Sequence, residues 1–204
     1  MSLSTRLLTR LYDPLFEPPL RTVRQLVLRL CAEVRPRRVL DVCSGTGTQL
    51  RALRNRGYQA WGADLSRDML GQARRRLPPD AAPLSNARAL AYRDGAFDLA
   101  IASLALHEKQ APTARAMLHE MVRVVRPGGH LLLADYAPAS RASARGRVIS
   151  FAIERAVGGN HFRNYRAYLA GGALEGLTRD LAVAPVTRVL TAANTVELQL
   201  LRRR

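Results

Sequence analysis

A small-residue turn between an apolar strand and a helix most strongly restricts how this chain can fold. Residues 39–48 read Val-Leu-Asp-Val-Cys-Ser-Gly-Thr-Gly-Thr, and a helical pattern follows them. Gly45 and Gly47 have no Cβ, so the backbone can pass close to a bound ligand there. The free N–H groups of the next helix suit an anionic or polar ligand group. The segment predicts a strand, a loop and a helix start, with Asp41 placed to accept hydrogen bonds from an amine or a hydroxyl.

The same segment resembles motif I of the class I S-adenosylmethionine (SAM) methyltransferases, which reads acid-x-Gly-x-Gly-x-Gly. Asp41, Gly45 and Gly47 match this pattern, whereas Cys43 stands in place of the first glycine and restricts close approach there. Residues 97–98 and 124–129, followed by an apolar strand, resemble later motifs of the same superfamily. The resemblance covers roughly residues 12–201 and is to methyltransferase type 11 and quinone-biosynthesis-like members.

The resemblance implies an α/β, Rossmann-like fold. Its sheet would have seven strands in the order 3-2-1-4-5-7-6, with strand 7 antiparallel and helices on both faces. We predict one domain over 1–204, with an N-terminal helical cap over 1–35 and a substrate-side helical insertion over 138–180. Apolar patterning and turn residues predict strands over 38–43, 59–63, 83–85, 99–106, 130–134, 186–190 and 195–201. Helices are predicted over 48–56, after the N-cap Ser66 and from near Pro112, and a turn over 126–129.

Asp64, beyond the glycine turn, also indicates a nucleoside ligand. It ends the second strand, 19 residues after Gly45, and neighbouring parallel strands would bring the two together. A carboxylate there can accept both ribose hydroxyls, although it could also simply cap the next helix.

The resemblance extends the cofactor site. Asn86-Ala87 stands where similar enzymes place an acid against the adenine amino group, and an amide oxygen can accept the same bond. Tyr12 in the cap is placed to reach the methionine carboxylate, with simple packing as the alternative. The cofactor implied is SAM, and the predicted cofactor-binding residues are Tyr12, Asp41, Cys43, Gly45, Thr46, Gly47, Asp64, Leu65, Met69, Asn86, Ala87 and Ser103.

The candidate catalytic residues are His107, His161 and Tyr136. Methyl transfer from a sulfonium depends on positioning, and a base is needed only when the acceptor must lose a proton. His107 leaves the central strand on the ligand side, Tyr136 follows strand five, and His161 lies in the insertion. Each could equally be a packed structural residue. No metal site is predicted, because Cys31 and Cys43 lack metal-type spacing.

The charge balance leaves partners open. The chain has 32 Lys and Arg against 16 Asp and Glu, a formal net charge of +16, and Lys109 is its only lysine. Such a charge could serve nucleic acid or peripheral membrane contact. The arginines are spread along the chain without interleaved aromatic residues, which favours a solvated surface. Two cysteines and no apolar leader predict a cytoplasmic protein, while the oligomeric state is not predicted.

Three functions follow from these patterns. The favoured one is a SAM-dependent methyltransferase acting on a small-molecule or lipid-like acceptor. A nicotinamide-dependent oxidoreductase also uses a glycine turn and a distal acid, but its third glycine would fall at Leu50. The third is a non-catalytic module of the same fold that binds RNA or an anionic membrane through its arginines.

Overall fold

The structure is a computed structural model that describes residues 20–191 and 194–204. Helices and strands alternate through the first two thirds of the chain, and two strands close it. In chain order the elements are α1 (20–34), β1 (Arg38–Val42), α2 (Thr48–Arg54), β2 (Gln59–Ala63), α3 (Arg67–Ala73), β3 (Phe97–Ser103), α4 (Ala111–Val124), β4 (Val125–Tyr136), α5 (Ala144–Val157), α6 (Gly159–Ala170), α7 (Ala173–Thr178), β5 (Val183–Thr191) and β6 (Val196–Arg203).

The strands form one sheet in the order β2-β1-β3-β4-β6-β5. β2, β1, β3 and β4 run parallel, whereas β6 is antiparallel to both β4 and β5. The α/β class and the antiparallel last strand are therefore confirmed. Within the register, Val42 pairs with Ala63 on one side and Ala102 on the other, so three carboxyl ends meet at one edge.

The predicted count of seven strands is wrong, because the sheet formed by the described residues has six. The expected third strand, 83–85, is only a single bridge in which Leu84 pairs with Asp64. Pro83 opens this segment and has no N–H to donate, so a longer ladder does not form. The predicted turn over 126–129 is also corrected: those residues lie inside β4, where the pairing with β3 shifts register between Phe97 and Leu99.

Alternation along the strands divides the core between the two faces of the sheet. Leu40 and Val42 belong to the cluster that includes α4, α6 and α7. Val39, which precedes Leu40 and lies on the opposite face of the pleat, belongs to the cluster that includes α1, α2 and α3. The helices thus cover both faces, as the fold class requires.

The region between β4 and β5 is helical, and it contains α5, α6 and α7. Gly158, with φ of 75°, separates α5 from α6. The described part of the N-terminal region is α1, which buries Val23, Val27 and Leu30 against the sheet. Within 20–191 and 194–204, none of the helices combines the length and apolar character that a transmembrane span needs.

Candidate cofactor site and active site

A cavity of about 750 Å³ opens where the parallel strands β1, β2 and β3 end. Ligands of open α/β sheets collect at this edge because the loops there diverge. Eight of the predicted cofactor residues line the cavity: Cys43, Gly45, Asp64, Leu65, Met69, Asn86, Ala87 and Ser103.

Asp64 joins the glycine turn to the start of α3. Its Oδ2 accepts a hydrogen bond from the Gly45 N–H at 2.8 Å, and its Oδ1 accepts one from the Ser66 N–H at 2.7 Å. Ser66 in turn caps α3 by accepting the Met69 N–H. Each carboxylate oxygen keeps a second lone pair, so the cap and a ribose ligand are compatible.

The two glycines of the turn have different tasks. A Cβ on Gly45, which has φ of +55°, would meet nothing within 4 Å, so the space beside it is open. A Cβ on Gly47 would lie 2.6 Å from Leu77 Cδ1 and 3.1 Å from the Ala73 side chain. Gly47 therefore permits packing against the α3 region and does not line the cavity. Cys43 adopts the left-handed conformation, φ of 59°, at the position of the missing first glycine.

Asp41, which lies in β1, and Thr46, which lies within the turn, are both buried and do not line the cavity. Burial, and next the charge of Asp64, raise the pKa of Asp41 to about 7, while Arg24 acts in the opposite sense. Asp41 Oδ2 accepts no hydrogen bond from the described residues. Asp41 therefore keeps an unpaired hydrogen-bond acceptor close to the glycine turn, where the amino group of a methionine moiety is the ligand group expected.

The surroundings of the remaining predicted cofactor-binding residues differ from one residue to the next. The Asn86 side-chain oxygen accepts the Arg88 N–H at 3.0 Å, which leaves one lone pair for an adenine amino group. Tyr12 lies outside the described residues. Burial raises the pKa of the Cys43 thiol to about 12, so this cavity residue is a thiol and not a thiolate at neutral pH.

The three candidate catalytic residues lie together beside the cavity. The His107 ring centroid is 4.8 Å from that of Tyr136 and 5.4 Å from that of His161. His107 is buried, and its Nδ1 lies 2.6 Å from Asp135 Oδ1. Burial lowers the pKa of His107, but the nearby carboxylates, Asp135 first, raise it by more, so the net shift is upward.

Glu154 of α5 lies at the centre of this group. It accepts a hydrogen bond from the Tyr136 hydroxyl at 2.8 Å, and its other oxygen lies 2.6 Å from His161 Nε2. Burial raises the pKa of Glu154, but the His161 hydrogen bond and the other partners lower it by more. Burial and the Glu154 charge raise the pKa of Tyr136 well above its ordinary value. One atom each from His107, Glu154 and His161 lie within 4.8 Å of one another, an arrangement that the sequence did not predict.

Glu108 and Lys109 are cavity residues that sequence reasoning missed. Both line the cavity, and Lys109 Nζ lies 2.6 Å from Glu108 Oε1. Asn164 of α6 donates a hydrogen bond to the Glu108 carbonyl at 2.7 Å, which attaches the insertion to this wall. The signal for both residues was their position directly after His107. Glu154 had no local signal, because only the fold brings α5 to β3 and β4.

Known proteins resemble this chain in sequence and in fold. A family model described as a methyltransferase domain matches residues 39–129. Demethylmenaquinone methyltransferase from Thermotoga maritima is 31% identical over 168 residues, covering 78% of this chain and 72% of that protein. The chain belongs to the class I SAM-dependent methyltransferases. The cofactor of this family is SAM, so the nicotinamide alternative is set aside.

Other members extend the comparison. Demethylmenaquinone methyltransferase from Beutenbergia cavernae is 38% identical over 100 residues, but the match covers only 49% of this chain and 41% of that protein. The chain thus spans less than half the length of this relative. Magnesium protoporphyrin IX methyltransferase from Synechocystis, solved with bound SAH (the demethylated cofactor), has a TM-score of 0.61 at 18% identity, covering 90% of this chain and 83% of that one. Its fold matches.

Proposed function

We propose that this chain transfers a methyl group from SAM to a small-molecule or lipid-like acceptor. The observation that carries the proposal is the cavity at the ends of β1, β2 and β3, with the Asp64 carboxylate and the open side of Gly45 in its wall. When bound, the cofactor supplies a methyl group that its sulfonium already activates. The chain's own task is to hold two molecules in line and keep water out.

Within this proposal, each wall of the cavity has a different partner. Asp64 accepts hydrogen bonds from the ribose hydroxyls, and Asn86 and Ala87 contact the adenine. The glycine turn, together with Asp41, binds the amino-acid end of the cofactor. The acceptor lies toward Glu108 and Lys109, whose carboxylate and ammonium orient it by accepting and donating hydrogen bonds. The catalytic candidate His161 contacts this wall, since its Nδ1 lies 3.5 Å from Glu108 Oε2. His107 and Tyr136 are positioning residues in this proposal. His107 contacts Asp135 and Glu154, and the Tyr136 hydroxyl donates a hydrogen bond to Glu154.

The proposed chemical class of the methyl acceptor is based on the relatives and on the residues that line the cavity. Both curated relatives described above are named demethylmenaquinone methyltransferase. On the acceptor side Leu104, Ala105 and Met117 give the cavity an apolar surface. A quinone-like ring or a lipid-like molecule with one polar group matches this mixture of apolar surface and a single ion pair.

The test is cofactor binding measured separately from turnover. We expect Asp64→Ala to weaken SAH binding in calorimetry at least about 100-fold, because hydrogen bonds to a charged group contribute about 1.5–3 kcal/mol each. Asp80→Ala, an exposed acid outside the cavity, is the matched control. Unchanged affinity in Asp64→Ala would contradict the ribose assignment. Tight SAH binding with no SAH released from SAM in the presence of quinone and lipid acceptors would favour the non-catalytic module.

The outer face of α5 supports peripheral membrane contact as a second element of the proposal. Four of the seven exposed large apolar side chains of the described residues lie on this helix: Val148, Ile149, Phe151 and Val157. Arg145, Arg147 and Arg155 are exposed beside them, and the only acid of α5, Glu154, is buried. A helix with apolar and arginine side chains outward suits an anionic bilayer surface.

Vesicle sedimentation tests this contact. We expect the protein to bind phosphatidylglycerol vesicles more tightly than phosphatidylcholine vesicles, and high salt to weaken that binding. Val148→Ser combined with Phe151→Ser should reduce it, while Val186→Ser, at an exposed apolar site on β5, should not. Equal loss in both variants, or salt-dependent binding to RNA instead of vesicles, would argue against α5 as a lipid contact.

A further inference from the structure

The group formed by His107, Glu154 and His161 has the composition of a metal site. Two imidazoles and one carboxylate are ligands that Zn²⁺ and similar divalent ions accept in proteins. Their ligand atoms lie within 4.8 Å of one another, and the residues come from three places in the chain: the loop after β3, α5 and α6. We propose that these three residues bind a divalent transition-metal ion such as Zn²⁺.

The orientation of the three side chains supports this assignment. His107 Nε2 faces Glu154 Oε1 at 3.6 Å, and His161 Nε2 faces Glu154 Oε2 at 2.6 Å, so the two Nε2 atoms point at the same carboxylate. In a tetrahedral zinc site, bonds of about 2.0–2.2 Å place ligand atoms roughly 3.4 Å apart. Small side-chain rotations would bring the three atoms to that separation, with the ion replacing the contact between His161 and Glu154.

A second observation is that each of the three proposed ligand residues has a polar neighbour that can fix its orientation. His107 Nδ1 lies 2.6 Å from Asp135 Oδ1, and His161 Nδ1 lies 3.5 Å from Glu108 Oε2. The Tyr136 hydroxyl donates to Glu154 Oε1 at 2.8 Å. Metal-binding histidines usually have a carboxylate or carbonyl on their second ring nitrogen, which fixes the tautomer and the ring orientation. Here both histidines have a carboxylate there.

Charge and burial favour a cation at this position. Three carboxylates, from Asp135, Glu154 and Glu108, surround the two imidazoles, and the Glu154 and His107 side chains are only 4% and 5% exposed. His161, at 26% exposed, and Glu108, at 31%, are partly accessible, and Glu108 also lines the cavity. A bound ion would therefore connect α5 and α6 to the loop after β3, next to the cavity residue Glu108.

The experiment uses the full chain, freed of any affinity tag and treated with chelator. Co²⁺ titration followed by its visible d–d absorption, and Zn²⁺ titration by calorimetry, should both show one ion bound per chain. We expect His161→Ala to weaken binding at least about 100-fold, since second-sphere changes alone cost 10–100-fold. The control is His119→Ala, which removes an exposed histidine of α4 and should leave binding unchanged.

Two more variants separate metal binding by this group from unfolding and from binding by a cysteine. Glu154→Gln keeps the shape of the side chain, so its loss of Co²⁺ binding with a native circular dichroism spectrum excludes simple unfolding. Cys43→Ser should retain the bound ion, since the proposed ligands contain no sulfur.

Absence of bound metal, binding that persists in both His161→Ala and Glu154→Gln, or a thiolate–cobalt charge-transfer band would overturn the proposal. SAH binding is measured on the same samples. Its failure would count against the proposed methyltransferase function and leave the metal result standing.

Discussion

Asp41 and Asp64 sit at the ends of two neighbouring strands, yet their carboxylates have different surroundings. Asp64 accepts two backbone N–H groups and borders the cavity. Asp41 is only 2% exposed, and its Oδ2 has no donor among the described residues. Burial and the neighbouring acid raise the pKa of Asp41 to about 7, so its charge is a cost to the folded chain unless a cation approaches.

The pH dependence of stability follows from this shift. The folded pKa of about 7 lies above the ordinary value of 3.8, so the folded state binds more protons between these limits. The contribution of Asp41 to stability therefore falls as pH rises from about 4 to 7 and is constant above that range. Asp41→Asn removes this cost. Its advantage in unfolding free energy over the wild type should grow by about 2–3 kcal/mol from pH 5 to pH 8, since one pKa unit is about 1.4 kcal/mol.

Urea denaturation of the ligand-free protein at the two pH values measures this difference. Asp80→Asn serves as the control, because Asp80 is exposed and its variant should show the same pH dependence as the wild type. If Asp41→Asn also ran parallel to the wild type, Asp41 would be ionised in the fold at little cost.

At the scale of elements, the glycines of β2 and α3 show how closely helix and strand approach. Gly62 lies in β2 where a Cβ would stand 2.5 Å from Ser44 Oγ and 2.9 Å from Leu50 Cδ2. The turn that follows β1 and the helix α2 can pack on β2 only because this position has no side chain. Gly71 of α3 is different, because a Cβ there would meet nothing within 4 Å.

A pair of alanine substitutions tests this difference. Gly62→Ala should destabilise the protein by about 1–3 kcal/mol, as overpacked core positions do. Gly71→Ala should stabilise it by about 0.5–1 kcal/mol, because alanine is the better residue in a helix interior. Thermal unfolding of both variants at one pH gives the comparison. A neutral Gly62→Ala would mean that β2 and the turn after β1 leave room for a methyl group between them.

At the scale of the whole molecule, the cavity is built from three strands and the loops that follow them. A ligand that binds there stabilises the folded chain by mass action. SAH at 100 times its dissociation constant adds about 2.7 kcal/mol. For a chain of this size that corresponds to a rise of roughly 5–11 °C in the melting temperature.

Thermal shift experiments check this expectation. SAH should raise the melting temperature of the wild type and have little effect on Asp64→Ala, while NAD should have none on either. A shift with NAD and none with SAH would contradict the cofactor assignment. The cytoplasmic location and the substrate role of the insertion stay predictions.

The sequence determined the parts of this protein that depend on neighbours along the chain. Apolar runs and caps placed β1, β2, α2, α3 and α4 within a few residues, and the glycine turn with Asp64 predicted one edge of the sheet as the ligand site. These signals are local, since a strand pattern, a cap or a turn is written in consecutive residues. They also carried the family resemblance, and the family was confirmed.

Only the tertiary structure decided which distant side chains meet. Nothing near Glu154 in the sequence indicates that it lies between His107 and His161, because only the fold brings α5 and α6 to the loop after β3. The fold also separated Gly45, which faces open space, from Gly47, which packs on the α3 region. Burial, which shifts the pKa of Asp41, arises from the same packing. Such properties belong to positions in space, and spacing along the chain does not encode them.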